Sequence, residues 1–136
     1  MKSATVKKVT PLLFAKDIEL CVRFWTEAMG LNKTIEVPDG DKLAFVQLEK
    51  DGMELMYQSF ASVEKDNPRT AEAVKRGPSF LYVEVEDLND ALNATSGAES
   101  FMDVRSTFYG SKEFGVKDPA GHYITFAQQG AAESAS

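Results

Sequence analysis

Residues 12–18 read LLFAKDI, and residues 82–88, seventy positions later, read YVEVEDL. In both stretches a short apolar run ends on an acidic residue, Asp17 or Asp87, and a helical pattern follows. The chain is therefore predicted to be one strand-helix-strands unit built twice. Two copies of such a unit must bury their apolar faces against each other or against a partner.

Length and composition are those of a globular protein. The 136 residues are 43% hydrophobic, enough for one domain or for two tightly joined half-domains. The net charge of -6 argues against a nucleic-acid partner. There is no apolar run of membrane-spanning length and no apolar segment behind a basic N-terminus. We therefore expect no membrane partner, no secretory signal and a cytoplasmic location.

The single cysteine, Cys21, lies within the helical pattern of the first unit. A lone cysteine excludes an internal disulfide and a metal site built from several cysteines. We expect a buried, inert thiol, as is usual for free cysteine.

Hydrophobic periodicity and turn residues divide the chain into two similar modules, each with the order strand, helix and three strands. The first module spans residues 1–58 and the second spans 79–129, with a connecting segment at 59–78 and a tail at 130–136 that is expected to be disordered. Within the connecting segment, a helical turn or two is expected around 70–75. The predicted helices are 17–29 and 88–95, and the predicted strands are 8–15, 34–37, 43–48, 53–58, 80–85, 102–106, 113–116 and 123–127.

Several short motifs, taken in order, resemble the vicinal oxygen chelate superfamily of glyoxalases, extradiol dioxygenases, fosfomycin-resistance enzymes and bleomycin-resistance proteins. The motifs are VTP at 9–11, FWTE at 24–27 with Gly30-Leu31 behind it, and GSKEF at 110–114 leading into DPAG at 118–121. The first two are most similar to the bleomycin-resistance branch. The resemblance covers residues 8–128 and implies an α+β fold in which two βαβββ modules form curled mixed sheets around a cup-shaped cavity.

The resemblance also implies where metal-dependent members of the superfamily hold their ion. Those positions, on the first and last strands of each module, fall here on Thr10, Glu54, Phe80 and Thr125. A divalent catalytic site needs about three ligands of the His, Asp or Glu kind, and only Glu54 qualifies. The sequence therefore predicts no bound metal and no other cofactor.

Three further residues, His122, Glu84 and Glu113, are of a type that can bind a metal. The single histidine, His122, is out of phase with the cup-facing positions of its strand and is interpreted as a turn or surface residue. Glu84 and Glu113 are expected to be solvated, as carboxylates on strands usually are.

Strand alternation predicts which side chains line the cup. If Glu54 points inward, the residues in phase with it share that face, and the alternate residues pack against the helices. This lining is typical of a small-molecule pocket, although a filled core would give the same pattern. The predicted lining is Leu12, Phe14, Met56, Gln58, Phe80, Tyr82, Tyr123 and Thr125, and the predicted helix-facing residues are Pro11, Leu13, Leu81, Val83 and Val85.

Phe108 and Tyr109 are adjacent aromatic residues in a predicted loop beside Gly110. Their rings could stack on a planar or cationic ligand, or one ring could simply close the mouth of the cup. Glu54 could pair with a cationic ligand, act as a general base or play a structural part.

The favoured hypothesis is a metal-free binding protein that sequesters an aromatic or cationic compound without turning it over, as resemblance to antibiotic-resistance proteins of the bleomycin type implies. The same resemblance implies a homodimer with the groove between subunits. The alternatives are a glyoxalase-like metal-dependent lyase, isomerase or dioxygenase with Glu54 as its catalytic residue, or a silent fold that associates with another protein. Whether the cup forms within one chain or across a dimer stays open. The expected ligand-binding residues are Phe14, Met56, Phe80, Tyr82, Phe108, Tyr109 and Tyr123.

Overall fold

The computed structural model describes residue 5 and residues 7–130. The predicted disordered tail lies outside these residues except for Gly130, which ends a turn. None of the helices in the described part of the chain is long and apolar enough to cross a membrane. In chain order the elements are β1 (Leu12–Ala15), α1 (Ile18–Met29), β2 (Asn32–Asp39), β3 (Lys42–Lys50), β4 (Met53–Ser59), α2 (Phe60–Asp66), α3 (Pro68–Val74), β5 (Phe80–Glu84), α4 (Leu88–Ala94), β6 (Ser100–Ser106), β7 (Ser111–Lys117) and β8 (Tyr123–Gln129).

The strands form two four-stranded sheets of the same design. The strand order is β1-β4-β3-β2 in the first sheet and β5-β8-β7-β6 in the second. In each sheet the outer pair, β1 with β4 or β5 with β8, is parallel, and the other neighbours are antiparallel. The predicted α+β fold with two βαβββ units is confirmed.

The signals that predicted the repeat also fix its helix ends. Asp17 and Asp87 both have the extended backbone of an N-cap residue. The Asp87 carboxylate accepts hydrogen bonds from the backbone N–H groups of residues 89 and 90, whereas the Asp17 side chain makes no cap hydrogen bond. At the other end of α1, Gly30 adopts a left-handed conformation with φ of 71°. Its N–H bonds to the Thr26 carbonyl, which ends the helix as predicted.

The connecting segment is more helical than the sequence predicted. The Ser59 side chain caps α2 by accepting a hydrogen bond from the Ser62 N–H. The Asn67 side chain caps α3 by accepting hydrogen bonds from the N–H groups of Arg69 and Thr70. Pro68 occupies the first turn of α3, where its missing N–H costs no hydrogen bond. These polar residues therefore begin helices rather than loops.

Helices α1 and α4 and the inner faces of both sheets share one apolar core. Trp25 of α1 is fully buried and its ring lies 6.4 Å from that of Phe126 on β8, so the two modules meet through side chains. The predicted helix-facing residues Leu13, Leu81, Val83 and Val85 all pack in or against this core. The opposite side of each sheet, which carries Leu12 and Phe14 in the first module, is called its open face below.

Cys21 is buried on α1, as predicted. Burial, with a smaller contribution from the Asp118 carboxylate, raises the pKa of its thiol to about 12. Only roughly one thiol in ten thousand is then ionised at pH 8, so the folded protein should not react with Ellman's reagent until it is unfolded in denaturant. Stoichiometric modification of the native protein within minutes would contradict this burial.

Candidate functional site

Three aromatic rings pack together at one end of the open face of the second sheet. The ring of Tyr123 lies 4.9 Å from that of Phe80 and 4.8 Å from that of Phe101. Phe101 lies directly on the backbone at Gly115, where an added Cβ would collide with its ring. Phe80 remains 71% exposed, so this group, called the Tyr123 cluster, forms an exposed aromatic surface.

A second group of side chains, the Glu113 cluster, converges on one carboxylate at the other end of this face. Tyr82 and Tyr109 each donate their hydroxyl to Glu113 Oε2 at 2.8 Å, and Ser111 Oγ donates to the same atom at 3.1 Å. Arg105 Nη2 donates to Oε1 at 3.1 Å. Glu113 is only 1% exposed, so the expectation of a solvated carboxylate was wrong for this residue.

The hydrogen bonds decide the charge state of this cluster. Burial alone would raise the pKa of Glu113, but the bonds from Tyr109, Tyr82, Arg105 and Ser111 outweigh it and hold the pKa below its ordinary value. The bond to Glu113, together with burial, raises the pKa of the Tyr109 phenol. Glu113 is therefore ionised at neutral pH, and the Tyr109 phenol keeps the proton that it donates.

The loop between β6 and β7 carries both predicted stacking residues. Phe108 is 99% exposed and packs edge-on against Tyr109, with ring centroids 4.9 Å apart. The turn is closed by a hydrogen bond from the Gly110 N–H to the Thr107 carbonyl, and Gly110 adopts a positive φ of 89° there. The two rings thus extend the Glu113 cluster outward from the sheet.

Glu54 lies on the open face of the first sheet, but it is not a lone carboxylate. Its Oε1 accepts hydrogen bonds from Lys8 Nζ at 2.7 Å and from Gln47 Nε2 at 2.8 Å. Gln47 also donates to Glu49, so the amide bridges two carboxylates. Glu54 is therefore part of a local ion-pair network.

The strand register shows which residues occupy the four metal-ligand positions that the superfamily resemblance implies. Leu12 and Tyr82 occupy equivalent places in the two modules. Leu12 pairs with Met56 and Tyr82 pairs with Thr125, so Met56 and Thr125 are counterparts. Glu54 and Tyr123, each two residues earlier, are therefore counterparts as well. The metal-ligand position on the last strand of the second module therefore falls on Tyr123, two residues before the expected Thr125. The four positions are then occupied by Thr10, Glu54, Phe80 and Tyr123, with a single carboxylate whose Oε1 already binds a lysine. These residues do not fit a catalytic divalent ion.

No group of three or more His, Cys, Asp or Glu side chains suited to a metal lies within residues 7–130. His122 is buried, so its interpretation as a surface residue was wrong. Its Nδ1 accepts a hydrogen bond from the Ser79 N–H, and its Nε2, which must then carry the proton of the neutral ring, donates to the Phe14 carbonyl. His122 therefore ties β1 to the start of β5 and has both nitrogens engaged.

The seven predicted ligand-binding residues lie on two surfaces. Phe14 and Met56 belong to the open face of the first sheet, and the other five lie on or beside that of the second. A cleft of about 510 Å³, walled partly by α2 and α3, brings Phe14 close to Tyr123. Neither Phe101 nor Arg105 was predicted as a site residue, and Glu113 was expected to be solvated, although Tyr109, Ser111 and Glu113 alternate along the chain as one face of a strand would.

Comparison with known proteins gives a family and a shared fold. The sequence profile of the Glyoxalase/Bleomycin resistance protein/Dioxygenase superfamily matches residues 6–126. No curated protein sequence matches the chain significantly.

Several solved structures share the fold of this chain. The chain is similar to a bleomycin-binding protein from Streptomyces verticillus complexed with copper(II)-bleomycin (TM-score 0.61, 19% identity, 91% of this chain and 97% of that one). It is also similar to a lactoylglutathione lyase from Agrobacterium tumefaciens (0.70, 14%, 91% and 95%). A protein of unknown function from Agrobacterium tumefaciens strain C58 gives a TM-score of 0.71 at 25% identity, covering 93% of this chain and 97% of that one.

Proposed function

The chain belongs to the Glyoxalase/Bleomycin resistance protein/Dioxygenase superfamily, and on that premise we propose that it is a metal-free binding protein that sequesters an aromatic or cationic small molecule. The observation that carries this proposal is the open face of the second sheet, where the Tyr123 cluster and the Glu113 cluster both present exposed aromatic rings. Ring faces of this kind stack on planar groups and attract cations.

The surroundings of Glu54 favour capture over catalysis. A general base must be directed at the substrate, whereas the Glu54 carboxylate is anchored through Oε1 by one amide hydrogen bond and by one charge-assisted bond from Lys8. The fold itself does not distinguish binding from catalysis, because a bleomycin-binding protein and a lactoylglutathione lyase both share it at under 20% identity. We therefore propose no catalytic role for Glu54.

We infer that the binding unit is a homodimer. In a single chain the aromatic face is exposed, with Tyr82 51% and Phe80 71% accessible, and the edge strand β2 exposes Ile35 and Val37. Exposed apolar side chains on both sheets favour an interaction with another protein surface. In a dimer, the first sheet of one subunit can cover the second sheet of its partner and complete a groove that neither subunit closes alone. A cytoplasmic location remains a prediction from the sequence.

Elemental analysis of the purified, untagged protein tests the proposal, combined with thermal unfolding in added Zn²⁺, Mn²⁺ and Ni²⁺. We expect no stoichiometric metal and equal changes in Tm for the wild type and for Glu54→Ala, because Glu54 lacks partner ligands. A stoichiometric ion, or a rise in Tm that Glu54→Ala abolishes, would favour the metal-dependent enzyme instead. In that case Glu54→Gln should also abolish turnover.

A further inference from the structure

The unusual feature of the open face is the path of the Tyr82 side chain. Tyr82 is on β5 and Glu113 is on β7, with β8 between them in the sheet. Neighbouring strands lie about 4.8 Å apart, so the Tyr82 hydroxyl bonds to a residue whose strand is roughly 10 Å away. The side chain must therefore lie across the sheet instead of standing upright on it, and the small, fully buried Ala127 on β8 leaves room for this.

Tyr109 reaches the same carboxylate oxygen from the loop that precedes β7. The hydroxyl ends of two phenols are thus fixed at one point, while each residue keeps about half of its surface accessible, 51% for Tyr82 and 52% for Tyr109. Gln129 Nε2 donates a further hydrogen bond to the Tyr82 oxygen at 2.9 Å. Both tyrosine side chains are thus anchored at their hydroxyl ends on the buried Glu113.

The hydrogen bonds also determine what these two rings can recognise. Both phenol protons are committed to Glu113, so neither hydroxyl is free to donate to a ligand. An anionic acceptor draws the phenol proton toward itself and increases the electron density of the ring, which strengthens attraction between the ring face and a cation. Arg105 balances the Glu113 charge, so the attraction comes from the ring faces and not from an uncompensated carboxylate.

We propose that Glu113 is a positioning residue that holds Tyr82 and Tyr109 as an electron-rich platform, which selects planar organic cations over neutral rings of the same shape. The inference rests on the proposed binding function and specifies its ligand class. Glu113 itself lies beneath the rings and does not touch the ligand.

The test compares N-methylquinolinium with its neutral isostere α-methylnaphthalene, titrated by fluorescence into the full chain. The wild type should bind the cation roughly 3- to 10-fold more tightly than the neutral ring, and Glu113→Gln should bring the ratio close to one. The charge-balanced double variant Arg105→Gln/Glu113→Gln should lose the preference as well, because it has no carboxylate for the phenols. Glu72→Gln on α3 removes one negative charge elsewhere and should keep the preference.

A second readout does not depend on any ligand. Tyrosinate absorbance during a pH titration, with Tyr109→Phe used to identify the signal, should show that Glu113→Gln lowers the pKa of Tyr109 toward its ordinary value. An unchanged Tyr109 titration, an unchanged binding ratio in Glu113→Gln, or a preference restored in the double variant would each overturn the inference while leaving the binding function intact. If N-methylquinolinium does not bind the wild type at all, the inference and the proposed ligand class fail together.

Discussion

Replacing Tyr57 by Phe should lower the free energy of unfolding by about 3–5 kcal/mol. The Tyr57 hydroxyl accepts a hydrogen bond from Trp25 Nε1 at 2.8 Å and donates one to Asp118 Oδ2 at 2.6 Å, and all three side chains are buried. Burial, and then the Asp118 charge, raise the pKa of this phenol well above its ordinary value, so the proton that it donates is always present. The Phe ring fills the same space but leaves a buried indole N–H and a buried carboxylate oxygen without this partner.

Equilibrium unfolding in urea measures the loss, and Tyr123→Phe is a matched control. It removes a phenol hydroxyl from the open face of the second sheet, outside the Trp25–Tyr57–Asp118 network, and should change the free energy of unfolding by less than about 0.5 kcal/mol. Because Tyr57 is on β4 and Asp118 follows β7, the network joins the two modules. A loss below about 1 kcal/mol in Tyr57→Phe would show that this connection contributes little to holding them together.

Removing both loop rings, with Phe108→Ala and Tyr109→Ala in one chain, should weaken the binding of a planar cation roughly 10- to 100-fold. Phe108 is almost fully exposed and packs only on Tyr109 among the aromatic residues described, so its loss should act on binding more than on folding. Calorimetric titration of N-methylquinolinium gives the two dissociation constants.

Leu20→Ala is the control for this variant, because it removes an exposed apolar group from α1, away from both open faces. It should leave the affinity unchanged. If the double variant binds every compound as tightly as the wild type, Phe108 and Tyr109 are not stacking residues and the binding surface must be elsewhere.

The fold was largely readable from the sequence because its signals are local and occur twice. The apolar runs that end at Asp17 and Asp87, followed by helices of the same phase, specify the βαβββ unit without reference to distant residues. The error in the connecting segment has a local cause as well. Ser59, Asn67 and Pro68 favour turns and helix N-termini equally, and only the residues packed behind them decide between the two.

For the candidate site, the sequence predicted which face of the sheet carries the residues but not the contacts between them. Alternation places Tyr82 on the open face, but it cannot show that the side chain crosses β8 to a residue 31 positions away in sequence. That contact buries Glu113, which local pattern alone leaves solvated. His122 was misjudged for a similar reason, since one of its two hydrogen bonds joins it to Phe14, 108 residues earlier.

Binding without metal and without turnover is tested most directly by calorimetric titration of the wild-type chain with N-methylquinolinium, in the presence and absence of EDTA, followed by mass spectrometry of the recovered compound. We expect saturable binding, the same dissociation constant in both buffers, and recovery of the compound unchanged. Binding that EDTA abolishes, a chemically altered compound, or no saturable heat at all would contradict the proposal that this chain is a metal-free binder of planar cations.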